Sequence, residues 1–276
     1  MPENKPTGCT GDCSTCGSKC SEEKQDMRIP CGEFSEIKHV IGVVSGKGGV
    51  GKSLVTSLLA SETRARGFKT AVLDADITGP SIPRSFGINT RAKADARGLL
   101  PEVTQTGIEI MSINLLMEKE DQPVVWRGPV ISGVIQQFWQ EVAWGEVDYM
   151  FVDMPPGTGD VPLTVFQSLP VDGIVIVTTP QDLVNMIVRK AYNMAKLMDI
   201  PVIGIIENMS YIECPDCGKK ISVFGESSIN DVANQLGVPV LAALPIKSST
   251  AAMVDHGDVE SIVLDGIKQA ADVILG

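Results

Sequence analysis

The sequence lacks any long apolar run, and this absence excludes one class of structure. A membrane-spanning helix needs about 18 or more consecutive apolar residues, and no stretch of the 276-residue chain has them. The first residues are polar and rich in cysteine, with no apolar stretch like that of a secretory signal peptide. We therefore expect a cytoplasmic protein that has no membrane partner.

The chain also has little positive charge and few aromatic residues. Its 23 Lys and Arg stand against 34 Asp and Glu, which gives a formal net charge of −11. Broad nucleic-acid binding needs a positive surface that displaces counterions from phosphate, so we expect no nucleic-acid partner. Aromatic residues make up 5% and hydrophobic residues 43% of the chain. This composition is typical of a parallel sheet rich in Val, Ile and Leu and packed by helices.

One glycine-rich segment carries the clearest chemical signal. It follows the apolar run Val40–Val44 and fits the phosphate-binding spacing G-x-x-x-x-G-K-[ST]. Its glycines allow successive backbone N–H groups to approach a phosphate. We expect Lys52 to reach the outer phosphates of a nucleotide and Ser53 to offer its hydroxyl to Mg²⁺. The predicted P-loop consists of Gly46, Lys47, Gly48, Gly49, Val50, Gly51, Lys52 and Ser53.

Apolar runs alternate with helical patterns from Lys38 onward. The predicted strands are Val40–Val44, Thr70–Leu73, Ile108–Ile113, Tyr149–Val152, Ile174–Val177, Val202–Ile206 and Val240–Leu244. The predicted helices are Leu54–Arg66, Val130–Trp144 and Leu183–Met198. This alternation predicts an α/β fold with a mainly parallel β-sheet flanked by helices. Right-handed crossovers then place the loops after the strands at one edge, where ligands bind.

Four positions that follow predicted strands are expected at that edge. Asp153 ends one strand and suits the Mg²⁺ position. Gly157 lies in the next loop, where its backbone N–H can bind a γ-phosphate and sense the nucleotide. Asp74 and Asp76 end another strand, and alternate residues of an extended chain point the same way. One of these two carboxylates can activate the attacking water, while the other supports Mg²⁺ or the loop.

The seven cysteines form two groups. Cys214 and Cys217 make one C-x-x-C pair, with no cysteine after it in the sequence. A structural zinc ion or a [4Fe–4S] cluster needs about four ligands, which two chains meeting at a two-fold axis can supply. The pair therefore predicts a metal centre shared across a homodimer. A zinc-only site and a thioredoxin-like redox pair are the alternatives.

The other five cysteines lie in residues 1–36, which have almost no apolar side chains. Such a segment cannot form a core of its own, so we expect a flexible extension unless a metal orders it. Residues 37–276 then form the P-loop domain. The cysteines of the extension are Cys9, Cys13, Cys16, Cys20 and Cys31.

The motifs together resemble a known family. Lys47, directly after the first glycine, gives the deviant Walker A form found in the nitrogenase iron protein, MinD and ParA ATPases, the SIMIBI class of P-loop NTPases. Within that class the chain resembles Mrp/ApbC-type iron–sulfur cluster carriers over about residues 38–225. The matching segments are GKGGVGKS, DADITGPSIP, Trp126-Arg127-Gly128-Pro129, DMPPGTGD, ENMS and CPDC.

The resemblance implies a homodimeric ATPase that binds a labile [4Fe–4S] cluster and transfers it to apoproteins. It implies that Lys47 reaches the partner's nucleotide, that Asp76 activates water and that Asn208 contacts adenine, although composition alone indicates a turn residue at position 208. Cys214 and Cys217 would bridge the cluster. The alternative is a MinD/ParA-like positioning switch, which the acidic charge disfavours.

The resemblance also bears on the N-terminal cysteines, because related scaffold proteins carry a four-cysteine cluster site there. The spacing C-x₃-C-x₂-C-x₃-C departs from the wider first gap expected in those relatives. We predict a second cluster on Cys13, Cys16 and Cys20, with Cys9 or Cys31 as the fourth ligand. Zinc, or adventitious metal on a thiol-rich tail, is the alternative.

Overall fold

The computed structural model describes residues 28–276, except residues 78, 80, 118–127 and 182–183, and except the side chains of residues 128, 129, 160, 184 and 185. Four of the predicted cluster ligands, Cys9, Cys13, Cys16 and Cys20, lie outside the described residues. So do Trp126 and Arg127 of the family motif. In the described part of the chain, no helix is long and apolar enough to cross a membrane.

The described chain alternates strands with helices, as the sequence predicts. The strands are β1 (Ser35–Val44), β2 (Thr70–Asp74), β3 (Ala94–Asp95), β4 (Gly98–Leu99), β5 (Glu102–Val103), β6 (Glu109–Met111), β7 (Gly145–Asp153), β8 (Gly173–Thr178), β9 (Val202–Glu213), β10 (Lys220–Ile221) and β11 (Val240–Pro245). The helices are α1 (Lys52–Ala65), α2 (Ile82–Ser85), α3 (Gly128–Glu141), α4 (Asp160–Ser168), α5 (Val184–Leu197), α6 (Ile229–Leu236), α7 (Ser248–Asp255) and α8 (Asp265–Leu275).

Nine strands form one sheet, in the order β10-β9-β8-β1-β7-β2-β6-β5, with β11 also paired to β9. Every pair in it is parallel except β5 with β6 and β9 with β10. The predicted mainly parallel α/β fold is therefore confirmed. Because the central strands run parallel, β1, β2, β7 and β8 end at the same edge, which we call the phosphate edge.

Helices cover both faces of the sheet, which explains the continuous apolar runs in its strands. Alternate residues of β1 point to opposite faces. Val40 and Val44 pack in the core under α3, α4, α5 and α6, whereas Ile41 and Val43 pack in the core under α1, α2 and α8. Each fully buried Val, Leu, Ile or Phe contributes about 1.5–3 kcal/mol relative to exposure. This two-sided core holds the phosphate edge rigid.

Four predicted strands differ from the structure by more than one residue. Two of them begin earlier than predicted, at Ser35 and not at Val40, and at Gly145 and not at Tyr149. The strand predicted over Ile108–Ile113 ends at Met111, because a short 3₁₀ turn takes residues Ile113–Leu115. The strand predicted to end at Ile206 continues to Glu213, so Asn208 lies inside β9 and not in a turn. A strand can pass through polar residues here because Glu207 and Asn208 are buried with hydrogen-bond partners.

Residues just before β1 contact the domain, although the sequence predicts that the flexible extension runs to residue 36. The backbone N–H of Ile29 donates to the Ser168 carbonyl at 2.8 Å, and Trp139 Nε1 donates to the Ile29 carbonyl at 3.0 Å. Cys31 is half-buried against the core, and its Sγ donates to the Ser35 carbonyl at 3.2 Å. The last residues of the predicted extension are thus attached to α3, α4 and β1.

Candidate functional site

The P-loop connects β1 to α1 at the phosphate edge, where the sequence places it. It borders a cavity of about 350 Å³. Gly51 precedes α1 with φ 80°, and a Cβ atom there would lie 2.2 Å from Nδ2 of Asn208, so only glycine fits. The side chains or backbone that line the cavity belong to Ser45, Gly48, Gly49, Val50, Gly51, Lys52, Ser53, Leu54, Asp76, Gly79, Ser81, Ser85, Pro156 and Val254.

Asp153 is the centre of the polar contacts beneath the P-loop. Its carboxylate is fully buried and lies 2.7 Å from Lys52 Nζ. It accepts hydrogen bonds from Ser53 Oγ at 2.6 Å and from Thr56 Oγ1 at 2.7 Å. The structure therefore brings together Ser53 and Asp153, which we predicted as the Mg²⁺ pair. A hydroxyl beside a carboxylate is the oxygen donor set that Mg²⁺ prefers.

Thr56 is the contact that the sequence analysis missed. It lies one helical turn after Lys52, on the face of α1 that is turned toward β7, and it is fully buried. Its hydroxyl also donates to the Lys52 carbonyl at 3.0 Å. The available signal was a small polar residue four positions after the P-loop lysine, where the helix places its side chain above the same strand end.

Asp74 and Asp76 lie close to this centre but in different environments. Asp76 borders the cavity, with Oδ2 3.6 Å from Lys52 Nζ. Asp74 is fully buried and accepts hydrogen bonds from Ser112 Oγ at 3.0 Å and from the Asp76 N–H at 3.2 Å. Burial, reinforced by the nearby charge of Asp153, raises the pKa of Asp74 to about 8. Asp76 therefore faces the cavity, whereas Asp74 lies below it and holds the loop through its hydrogen bond to the Asp76 backbone.

Gly157 and Lys47 both have protein partners. The Gly157 N–H, predicted to bind a γ-phosphate, donates to the Ser45 carbonyl at 2.8 Å. A phosphate oxygen would have to displace that carbonyl. Lys47 Nζ donates to Gln181 Oε1 in the loop after β8, and Lys47 does not line the cavity of its own chain. Its ammonium group thus points away from the nucleotide cavity beside it.

Asn208 supports the P-loop from the side of β9. Its side chain is buried, and Nδ2 donates to the Val50 carbonyl at 3.0 Å. Asn208 is absent from the cavity lining. The structure therefore gives this amide a structural contact, in addition to the base contact that the family resemblance implies.

Cys214 and Cys217 lie in the turn between β9 and β10, and we call residues 212–221 the cysteine hairpin. The Gly218 N–H donates to the Cys214 carbonyl, and the Cys214 N–H to the Lys219 carbonyl, both at 2.9 Å. The backbone N–H of Cys217, and then that of Asp216, lower the pKa of the Cys214 thiol. Cys214 is half-buried and Cys217 is exposed. In the part of the chain that the structure describes, no cluster of three or more His, Cys, Asp or Glu could hold a metal ion.

Comparison with known proteins identifies the family. Residues 36–274 match the ParA family model described as NUBPL iron-transfer P-loop NTPase. The chain belongs to this family of P-loop NTPases. The match spans the domain that carries the P-loop and the cysteine hairpin, and it confirms the resemblance seen in the sequence.

Relatives of this NTPase support the assignment. It is 46% identical to the iron–sulfur cluster carrier protein of Clostridium perfringens, over 92% of this chain and 95% of the relative. It is 39% identical to the cytosolic Fe–S cluster assembly factor CFD1 of Saccharomyces cerevisiae, over 85% and 83% of the two chains.

Solved structures agree on the fold of the NTPase. A nucleotide-binding protein from Archaeoglobus fulgidus in complex with ADP is 44% identical and has a TM-score of 0.75, over 83% of this chain and 90% of that one. The cell division ATPase MinD of Pyrococcus furiosus is 18% identical with a TM-score of 0.58, over 86% and 98% of the two chains. At that identity the likeness to MinD shows the fold alone.

Proposed function

We propose that this NTPase is an ATP-dependent carrier that binds a [4Fe–4S] cluster and transfers it to apo iron–sulfur proteins. The observation that carries the proposal is the cysteine hairpin, which places two thiols, one half-buried and one exposed, directly after the strand that supports the P-loop. The relatives named iron–sulfur cluster carrier proteins support it. The yeast relative is named a cytosolic factor, which supports a cytoplasmic location.

The cargo site is shared by two copies of the chain in this proposal. The hairpin supplies two sulfur ligands, whereas a [4Fe–4S] cluster takes about four. A second copy related by a two-fold axis supplies the other two. Apolar side chains are exposed on and just after the hairpin, which favours burial against another protein surface. They are Ile212, Ile221, Val223 and Phe224.

The nucleotide site binds ATP through the P-loop backbone and Lys52 in this proposal. Ser53 and Asp153 hold Mg²⁺, which when bound neutralises charge on the phosphates. Asp76 orients the attacking water from the cavity wall. Lys47 contacts the nucleotide of the partner subunit and exchanges its bond to Gln181 for one to phosphate. Gly157 senses the γ-phosphate by releasing the Ser45 carbonyl.

We also propose a second cluster on the N-terminal extension, held by Cys13, Cys16 and Cys20. The fourth ligand is Cys9 or Cys31. Cys31 packs against the core and donates a hydrogen bond to Ser35, which favours Cys9. The N-terminal extension has too few apolar side chains to form a core of its own, and a bound metal would compensate for this.

The test of the carrier function is anaerobic reconstitution with iron and sulfide, followed by iron analysis and Mössbauer spectroscopy. We expect the double variant Cys214→Ala/Cys217→Ala to lose about two irons per chain, because one four-iron cluster is shared by two chains. It should also lose cluster-dependent dimerisation in analytical ultracentrifugation. ATP affinity should stay within about twofold, because the hairpin lies outside the nucleotide cavity.

Two controls show whether the loss of iron is specific to the cysteine pair of the hairpin. Cys31→Ala also removes one thiol, yet it should keep the bridging iron because Cys31 precedes the start of β1, whereas the hairpin follows the opposite, carboxyl end of the parallel strand β9. A variant lacking residues 1–27 reports the second cluster separately. Full retention of the bridging iron in the double variant, or stoichiometric zinc binding without any cluster, would overturn the carrier proposal.

A further inference from the structure

Strand β9 links the two functional regions of the chain. Asn208 holds the P-loop at Val50, and Cys214 follows it by six residues, directly after the end of the same strand. At about 3.3 Å per residue, the two positions are separated by roughly 20 Å. The cysteine hairpin extends from the sheet beyond this point. Its position relative to the P-loop therefore depends on what fixes it to β9.

Glu207 provides one such attachment, and it is an unusual residue for a sheet interior. Its side chain is 1% exposed. It accepts hydrogen bonds from Ser210 Oγ at 2.5 Å and from Ser227 Oγ. Among the described residues, Glu207 has no ion-pair partner. A buried carboxylate is costly unless hydrogen bonds compensate it, so the two hydroxyls are strongly held.

The two hydroxyls belong to different parts of the chain. Ser210 lies on β9 itself, three residues after Glu207. Ser227 lies after the cysteine hairpin, and its Oγ also accepts the Ile229 N–H at 3.1 Å at the start of α6. Residues 215–228 are all exposed. The Glu207–Ser227 bond therefore ties the far end of this exposed segment back to the strand beside the P-loop.

Two further features place the P-loop close to this part of β9. Met209 has φ 56°, a left-handed conformation that is rare outside glycine, and the pairing of β9 with β11 shifts register between Glu207 and Tyr211. The terminal methyl of Met209 lies 3.8 Å from the place where a Cβ at Gly51 would be. Gln181, which binds Lys47, lines the same small cavity as Glu207 and Ser227.

We propose that Glu207 is a positioning residue that couples the nucleotide site to the cysteine pair by holding Ser227. A change at the P-loop shifts Asn208 and Met209, and Glu207 carries this shift to the segment that follows the hairpin. The inference rests on the proposed function, because it assigns a regulatory route between the ATP site and the cargo site. It names Glu207 as an element of that route that touches neither ligand.

The test compares two matched variants of the full chain. Ser227→Ala and Ser210→Ala each remove one hydroxyl from Glu207, but only the first releases the segment after the hairpin. The readout is the rate at which iodoacetamide alkylates the peptide holding Cys214 and Cys217, measured by mass spectrometry with and without Mg-ATP. We expect Mg-ATP to change this rate about fivefold in the wild type and in Ser210→Ala, the lower end of typical allosteric coupling. In Ser227→Ala the rate should not respond to Mg-ATP.

Rescue and folding controls separate coupling from damage. Ser227→Thr keeps a hydroxyl and should restore the response, while thermal melting and ATP affinity should stay near wild type in all three variants. An equal response in Ser227→Ala and wild type, or no response in the wild type, would overturn the inference. The readout needs no cluster, so a chain that fails to bind iron yet shows this pattern would sink the carrier proposal and leave the coupling standing.

Discussion

The P-loop edge and the cysteine hairpin differ in how complete they are within one chain. At the P-loop edge, Lys52, Asp153 and Asn208 are 6%, 0% and 4% exposed, and each has a defined partner. In the hairpin, Cys217 is exposed and Cys214 half-buried, and the pair brings two thiols where a cluster needs about four ligands. The polar contacts beneath the P-loop are thus complete within one chain, whereas the proposed metal site is only half built.

This difference has a physical cause. The polar groups of the P-loop edge are buried at the ends of parallel strands, and buried polar groups are stable only when they are hydrogen-bonded to each other. That requirement fixes their geometry before any ligand arrives. Most hairpin residues are exposed to water, which satisfies their polar groups. A single chain can therefore fold without the other two metal ligands. A geometry that is fixed in advance suits nucleotide binding. A site that only a second chain completes suits a cluster that must later be released.

The largest expected effect comes from a substitution that impairs the P-loop edge and leaves the cysteine hairpin intact. Lys52→Ala removes the ammonium group between Asp153 and Asp76. We expect ATP affinity to fall about 100-fold, or ~2.7 kcal/mol, because a charge-assisted contact to phosphate is lost. Iron binding at the cysteine pair should remain, since the hairpin is anchored elsewhere. Isothermal titration calorimetry with Mg-ATP and iron analysis after reconstitution measure the two effects.

A matched variant shows whether the Lys52 effect is local. Lys93→Ala removes an exposed lysine outside the cavity and should leave ATP affinity unchanged. Loss of iron binding in Lys52→Ala, at unchanged melting temperature, would show that the cysteine pair needs the nucleotide site for iron binding itself.

An intermediate effect concerns the buried Asp74 beneath the nucleotide site. Its pKa is raised from the ordinary value of 3.8 to about 8. Between those two pH values the folded chain keeps a proton that the unfolded chain releases, so this group makes stability fall as pH rises through the window. Asp74→Asn does not titrate. Its free energy of unfolding should therefore fall less between pH 6.5 and pH 8, by about 1–2 kcal/mol.

Urea unfolding at pH 5, 6.5 and 8 measures this pH dependence. Asp255→Asn, at an exposed carboxylate, is the control and should follow the wild type. If the stability of Asp74→Asn declined with pH as steeply as that of the wild type, Asp74 would not hold its proton in the folded state.

The smallest effect sharpens the description of the open hairpin. Backbone N–H groups of Cys217 and Asp216 lower the pKa of Cys214. The pH profile of Cys214 alkylation by iodoacetamide should therefore have its inflection below that of glutathione measured alongside. A lowered thiol pKa increases the fraction of thiolate, which is the form that binds metal. An inflection at or above that of glutathione would show that the turn does not stabilise the thiolate.

Most of the nucleotide site could be predicted because its signals are local. The P-loop spacing specifies its own backbone conformation, and Asp153 and Asp76 mark the ends of apolar strands. The sequence analysis missed Thr56 and the support from Asn208, because these contacts form only where a helix face and a distant strand meet. The prediction also ended the strand before Asn208, because this residue is polar. The strand continues because hydrogen-bond partners remove the usual penalty for a buried polar residue.

The sequence by itself determined the α/β class, the P-loop, the carboxylates at the strand ends and the isolated C-x-x-C pair. These follow from periodicity and spacing, which depend on near neighbours in the chain. Only the tertiary structure decided that β9 runs unbroken from Asn208 to the hairpin, that Asp74 is buried and Asp76 faces the cavity, and that Glu207 holds Ser227. Such pairings depend on which polar groups are buried together, and burial is a property of the packed fold rather than of any local segment.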